Sequence, residues 1–275
     1  MKTSIVAISK PLIAGLNTAE DLIVYIARVS NPTNQLNLDT GHKLIKYCLK
    51  HEHWSVFEQV SITIEIVTSR MISAQILRHG SFKFQEFSQR YSTVVDVEPI
   101  EIRKQAVTNR QSSTDEMKDS YCDALATQSV AKSFDTYKKL LKRGAARECA
   151  RSVLPMATQT TMYMTGSLRS WIHYCLLRSK KHTQKEHRII AEGALEILKE
   201  HFPVVSAAIV EAAEDKKAPL KKMMDQRDRL LSVATDMWIH GRNRNNQSSK
   251  HWRQAMEVFE AIEKEISEYN GHSEE

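Results

Sequence analysis

Two arginines, a histidine, a carboxylate and four hydroxyls fall within one short run, Arg78-His79-Gly80-Ser81-Phe82-Lys83-Phe84-Gln85-Glu86-Phe87-Ser88-Gln89-Arg90-Tyr91-Ser92. Such a mixture is suited to gripping an anion. Two guanidinium forks can bind a phosphate bidentately, serine hydroxyls can complete its hydrogen bonds, and Glu86 can accept from a hydroxyl or ring N–H of the same ligand. A second cluster places Arg147 and Arg151 one helical turn apart, ending at Leu154-Pro155. A third runs from Thr165 to Arg178 and puts Arg169 and His173 on one helix face by their spacing, with Arg178 further along. Taken singly, a basic residue on a helix is usually a solvated one. The coincidence of three such clusters argues for a site.

The elements that must position these residues follow from periodicity. Residues 3–8 read as a short strand, Thr18-Ala19-Glu20-Asp21 caps a helix running to about Val29, and a second helix covers 40–51. Val60, Ile62, Ile64 and Ile66 alternate with Ser61, Thr63 and Glu65, the period of a half-buried strand. Ser69 then begins a helix whose Met71, Ile72 and Ile76 hold the core, while Gln75, Arg78 and His79 share another face. From 114 onward the chain reads as helix after helix, about 114–143, 145–154, 167–180 and 183–200, with Pro155, Gly166 and Pro203 as punctuation. The expected fold is α/β (α+β), helix-dominated with a small β-sheet. Two parts are expected, 1–218 as the catalytic domain and 219–275 as a charged helical C-terminal extension. In the extension Met256, Phe259, Ile262 and Ile266 form one apolar stripe, and 241–249 should be a loop.

Composition narrows the class. The chain has 275 residues, 41% hydrophobic and 26% charged, which fits a soluble globular protein able to bury a sizeable core. A net charge of +6 and a pI near 9.0 favour phosphate-bearing partners without singling out nucleic acid over a nucleotide. Cys48, Cys122, Cys149 and Cys175 form no CxxC pair, so packing thiols in a reduced compartment are expected. The N-terminal residues lack the character of a signal peptide and no apolar run reaches membrane-spanning length, so the expected location is cytoplasmic.

These residues resemble the flavin-dependent thymidylate synthase family. Its signature is Arg-His-Arg, seven residues, then Ser, extended as Glu-x-Ser-x-Arg-Tyr-Ser. Here Arg78-His79-Gly80 and Ser88 occupy it, with Glu86, Arg90, Tyr91 and Ser92 in place. The resemblance also covers His51-x-His53-x-Ser55-x-Phe57-Glu58, Ala150 to Pro155, Thr165 to Arg178 and Thr183 to Arg188, spans roughly 1–215, and leaves 220–275 outside. It implies methylation of deoxyuridine monophosphate (dUMP) to thymidine monophosphate (dTMP), with the carbon from methylenetetrahydrofolate, hydride from reduced FAD and NADPH as reductant. It further implies a homotetramer with shared active sites. By similarity, Gln75, Arg78, Glu86, Ser88, Arg90 and Arg151 would bind the nucleotide, with Ile76, Leu77, Phe87 and Gln89 contributing backbone contacts. FAD would meet His53, Ser55, Arg78, His79, the Gly80 position, Glu86, Ser167, Leu168, Arg169 and His173. Arg178 would be the activating, catalytic residue and would also touch dUMP.

The residue types suit that chemistry. The uracil ring must become nucleophilic, so a cation that cannot lose its proton, set against the ring's amide edge, stabilises its ionised form. An ordinary thymidylate synthase instead attacks the ring with a thiolate, and Cys175 lies three residues from Arg178; its neighbours Leu176 and Leu177 favour buried packing. One departure stands out. Where the family carries a third Arg, this chain has Gly80, so either Lys83 or a neighbouring subunit substitutes, or FAD is held more weakly. Two rival readings have less support. A metal-dependent hydrolase would use the many histidines, but there is no HExxH and no metal is expected. A nucleic-acid-binding protein would use Lys216, Lys217, Lys221, Lys222, Arg227 and Arg229, but acidic residues interleave with them, leaving nucleic acid as an accessory role of the extension.

Overall fold

The structure, a computed structural model, describes residues 1–94, 96–107, 109–210, 223–230, 232 and 247–272. It divides into two units, Met1–Ala207 and Ala208–Glu275. The first unit is built on a four-stranded antiparallel sheet in the order β1 (Lys2–Ile8), β2 (Ser61–Ser69), β6 (Gln159–Ser167), β3 (Lys83–Glu86). β4 (Arg103–Gln105) and β5 (Ser113–Glu116) form a separate two-stranded ribbon. The helices of this unit include α1 (Ala19–Ala27), α2 (Gly41–Lys50), α3 (Arg70–Ile76), α4 (Ser120–Lys142), α5 (Arg147–Ala150), α6 (Leu168–Arg178) and α7 (Lys185–His201). The helix-dominated fold with a small sheet is as expected from the sequence.

The pairing of β2 with β6 sets the core. Ile64 lies opposite Met164 and Ile66 opposite Met162, and all four side chains are fully buried. On the other face Glu65 opposes Tyr163, whose hydroxyl donates to Glu65 Oε2 at 2.9 Å, and Thr63 meets Thr165 at 2.9 Å between hydroxyls. Each of these strands runs directly into a helix capped by its own last residue. Ser69 Oγ accepts from the Ile72 N–H at 3.3 Å to start α3, and Ser167 Oγ accepts from the Ser170 N–H at 3.2 Å to start α6. Trp171, fully buried on α6, donates from Nε1 to the Ile62 carbonyl at 3.1 Å and so ties the helix back to β2.

Several elements differ from the sequence expectation. The strand β6 occupies 159–167, a stretch for which no element was expected ahead of the helix at 167, and β5 takes the start of the helix expected from 114, so α4 begins at Ser120, capped by Asp119. The helix expected over 145–154 is a single turn, α5, continued by a 3-10 turn at Arg151–Val153. Gln75, Arg78 and His79 do not share a helix face: α3 ends at Ile76, and the Arg78 and His79 N–H groups bond three residues back to Gln75 and Ile76 in tightened turns. In the second unit, Gln247–His272 is helical, so the end of the expected 241–249 loop belongs to a helix and 241–246 lies outside the described residues. Ile262 and Ile266 of the apolar stripe are buried.

Gly166 makes the close approach that sets the loop after α3. A Cβ built there would lie 2.5 Å from Phe82 Cδ1, and Phe82 is buried edge-on against Trp171 with ring centroids 4.8 Å apart. Gly166→Ala should therefore destabilise the protein by about 1–3 kcal/mol, the usual cost of overpacking. Urea unfolding monitored by circular dichroism measures this, and a midpoint equal to the wild type's would contradict it.

Candidate functional site

α6 and the turn after α3 meet at their ends. Arg178, the last residue of α6, donates from Nε to His79 Nε2 at 3.0 Å. For His79 to accept there, its proton must sit on Nδ1 and the ring must be neutral. Burial, reinforced by the Arg178 and Arg78 guanidiniums, lowers the His79 pKa from 6.5 to about 4. Thus a full positive charge, Arg178, is oriented by an uncharged imidazole. Arg78 is exposed, and among the described residues no carboxylate lies within ion-pairing distance of Arg78 or Arg151.

Two further groups of expected site residues cluster. On the first, Arg169 pairs with Glu58 at 3.0 Å and the His173 ring lies 4.6 Å from the Trp54 ring, so α6 gathers the segment carrying His53 and Ser55. Burial, aided by Arg169 and opposed by Glu58 and Glu52, lowers the His173 pKa. His53 and Ser55 are exposed, and the Ser167 hydroxyl oxygen caps α6. On the second, Arg90 pairs with Glu148 at 3.0 Å and Arg147 donates to Thr93 Oγ1 at 3.4 Å, gathering Ser88 and Arg90 with α5 and Arg151. Among the described residues, no side-chain hydrogen bond, ion pair or ring contact joins this second group to Arg178.

The remaining expected residues are placed as follows. Glu86, half-buried, is ion-paired with Arg70 and accepts from Thr160 Oγ1 at 3.0 Å. Gln89 is buried with an amide nitrogen that finds no partner. Ile76 and Leu168 are fully buried core residues, whereas Leu77, Phe87 and Ser88 are exposed. Gly80 is exposed, and a Cβ added to it would meet nothing within 4 Å.

The sequence reading missed a buried polar row behind Arg178. His187 Nδ1 lies 3.2 Å from Gln75 Oε1, and its Nε2 lies 3.2 Å from the Tyr174 hydroxyl. Its one sequence signal was the run Thr183 to Arg188. Cys175, 2% exposed, is pushed up to about 12 by burial, so it is a packing thiol. A cavity of about 440 Å³ opens beside Gln184, and in its lining Arg103 and Lys185 are held by Glu101.

The family described as thymidylate synthase complementing protein matches residues 11–204. A probable flavin-dependent thymidylate synthase of Paramecium bursaria Chlorella virus 1 is 46% identical over 213 residues, covering 76% of this chain and 99% of the relative. A flavin-dependent thymidylate synthase of Synechocystis sp. is 48% identical over 211 residues, covering 76% of this chain and 95% of the relative. A UMP/dUMP methylase, PolB, from Streptomyces cacaoi, solved bound with 5-Br dUMP, shares the fold with a TM-score of 0.67 at 24% identity over 76% of this chain and 94% of that one. From the matched residues and these identities, the chain belongs to the flavin-dependent thymidylate synthase family.

Proposed function

We propose that the protein methylates dUMP to dTMP, with methylenetetrahydrofolate as carbon donor, FAD as its flavin and NADPH as reductant, in the cytoplasm. The observation that carries this reading is the Arg178–His79 pair, which holds a permanent cation in a defined orientation beside the signature run. Set against the amide edge of a uracil ring, such a cation stabilises the ionised ring and makes its methyl-accepting carbon nucleophilic. A thiolate at Cys175 has no support, since burial pushes that thiol up to about 12.

The residues present fit FAD. Space stands open at Gly80, and Arg78 is exposed without a carboxylate partner among the described residues. Ser55, Arg78, His79, Glu86, Ser167, Leu168, Arg169 and His173, with His53 and the backbone at Gly80, would hold it; when reduced, the flavin supplies a hydride. Gln75, Arg78, Glu86, Ser88, Arg90, Arg151 and Arg178 would hold dUMP, with the backbone from Ile76 to Leu77 and from Phe87 to Gln89. We further propose a homotetramer whose sites are shared between subunits, as the family resemblance implies. The catalytic domain is read as 1–218 and the rest as an extension.

The direct test is to incubate the protein with FAD, NADPH, methylenetetrahydrofolate and dUMP and measure dTMP; absence of product from flavin-loaded protein would overturn the function. Arg178→Lys keeps the charge but loses the planar fork, so kcat should fall about a hundredfold while dUMP affinity changes far less. Steady-state kinetics with equilibrium dUMP titration separates the two effects.

Gly80→Arg should tighten FAD binding by about 1–2 kcal/mol, the scale of a charge-assisted hydrogen bond, because the added side chain enters open space. Flavin fluorescence titration of wild type, Gly80→Arg and Lys83→Ala measures it. Weaker binding in Gly80→Arg together with weaker binding in Lys83→Ala would show that Lys83 already fills the role.

The pH dependence follows from His79. Its folded pKa of about 4 lies below the ordinary 6.5, so the stability gained from the neutral ring is complete above 6.5 and is lost as pH falls toward 4. Urea midpoints should therefore decline between pH 6.5 and 4, and His79→Gln should decline less steeply over that window.

A further inference from the structure

Behind Arg178 and His79, five side chains form a continuous row. The Tyr174 hydroxyl lies 3.2 Å from His187 Nε2, and His187 Nδ1 lies 3.2 Å from Gln75 Oε1. Gln75 Nε2 donates to Gln184 Oε1 at 2.7 Å, and Gln184 Nε2 faces Met71 Sδ at 3.8 Å. Such a row of heavy atoms can be wired in two directions, because each amide and the imidazole can be reversed without moving the backbone.

Its two ends decide the direction. A thioether sulfur can only accept, so Gln184 must turn its amide N–H toward Met71 and its oxygen toward Gln75. Tyr174 is 2% exposed and has no other hydrogen-bond partner among the described residues, so a reversed row would strand its hydroxyl proton in the interior. Only one wiring satisfies both ends. Tyr174 donates to His187 Nε2, His187 donates from Nδ1 to Gln75, and Gln75 donates to Gln184. The imidazole is thereby held in its Nδ1–H form.

Resting on the dUMP reading above, we propose that Tyr174 and His187 are positioning residues: they fix the Gln75 amide in one orientation, so that its remaining N–H and lone pair meet bound dUMP in a single way. Burial, with Arg178 and His79 nearby, keeps His187 uncharged, its pKa lowered to about 3, so the wiring is not disturbed near neutral pH. His187 is itself fully buried and cannot touch a ligand from solvent, and its effect must pass through Gln75.

The test uses the full FAD-loaded chain. In 15N-histidine NMR, the His187 signal, assigned by its loss in His187→Asn, should show the Nδ1–H tautomer; an Nε2–H or charged ring would overturn the wiring. Tyr174→Phe keeps the ring packed against Trp171 and Phe82 but removes the donor. It should weaken dUMP binding about fivefold by calorimetry, the size of one hydrogen bond. In a Gln75→Ala background the same change should cost nothing further. His187→Leu should weaken dUMP at least as much, and His187→Asn, whose amide nitrogen stands in for Nδ1, should recover most of the loss. An equal cost of Tyr174→Phe with and without Gln75 would overturn the positioning role. Wild type that holds no dUMP would instead refute the function, and the tautomer measurement would still decide the row.

Discussion

The register of β2 against β6 is the constraint on which the rest of this unit depends. With Ile64 facing Met164 and Ile66 facing Met162, a slip by one residue would carry Glu65 and Tyr163 into the core, and burial forbids it. The same register fixes where each strand stops, and each stops on a serine whose side chain begins the next helix. Because the strands are antiparallel, α3 and α6 start from opposite ends of the pair. The end of α6 meets the turn after α3, where the Arg178 Nε–H donates a hydrogen bond to His79 Nε2. The geometry of the site is thus written into the sheet before any ligand arrives.

Burial does the electrostatic work there. Tyr174, Cys175 and His187 all sit in the shell behind Arg178, and burial is the leading cause that keeps each of them uncharged. The row itself thus carries no charge, and the permanent charges beside it are the guanidiniums of Arg178 and Arg78. Carboxylates are used elsewhere, Glu58 on Arg169 and Glu148 on Arg90, where the pairs are exposed and contribute little to stability.

Much of this could be read from residue order. The alternation from Val60 to Ile66, the capped first helix and the three basic clusters all carry strong local signals. β6 was harder: its buried positions are Thr160, Met162 and Met164, and methionine favours helix more than strand, so the period of two was masked. β3 is four residues long and β4 three, too short to show a period. The end of α3 was misjudged because no glycine or proline stands at its C-cap, Leu77. In the site, the signature residues were legible as a motif. The Tyr174, His187 and Gln75 row was not, since His187 and Gln75 are 112 positions apart and only the packing of α7 against α3 joins them.

The pairing of an arginine with a histidine that stays unprotonated down to about pH 4 has a consequence for control. Neither partner changes its charge when the surroundings move between mildly acidic and mildly alkaline. The charge of the pair is thus a constant over that range. The stability linked to it still falls as the pH drops from 6.5 toward 4, so acidity reaches the fold without altering the charge presented to a ligand.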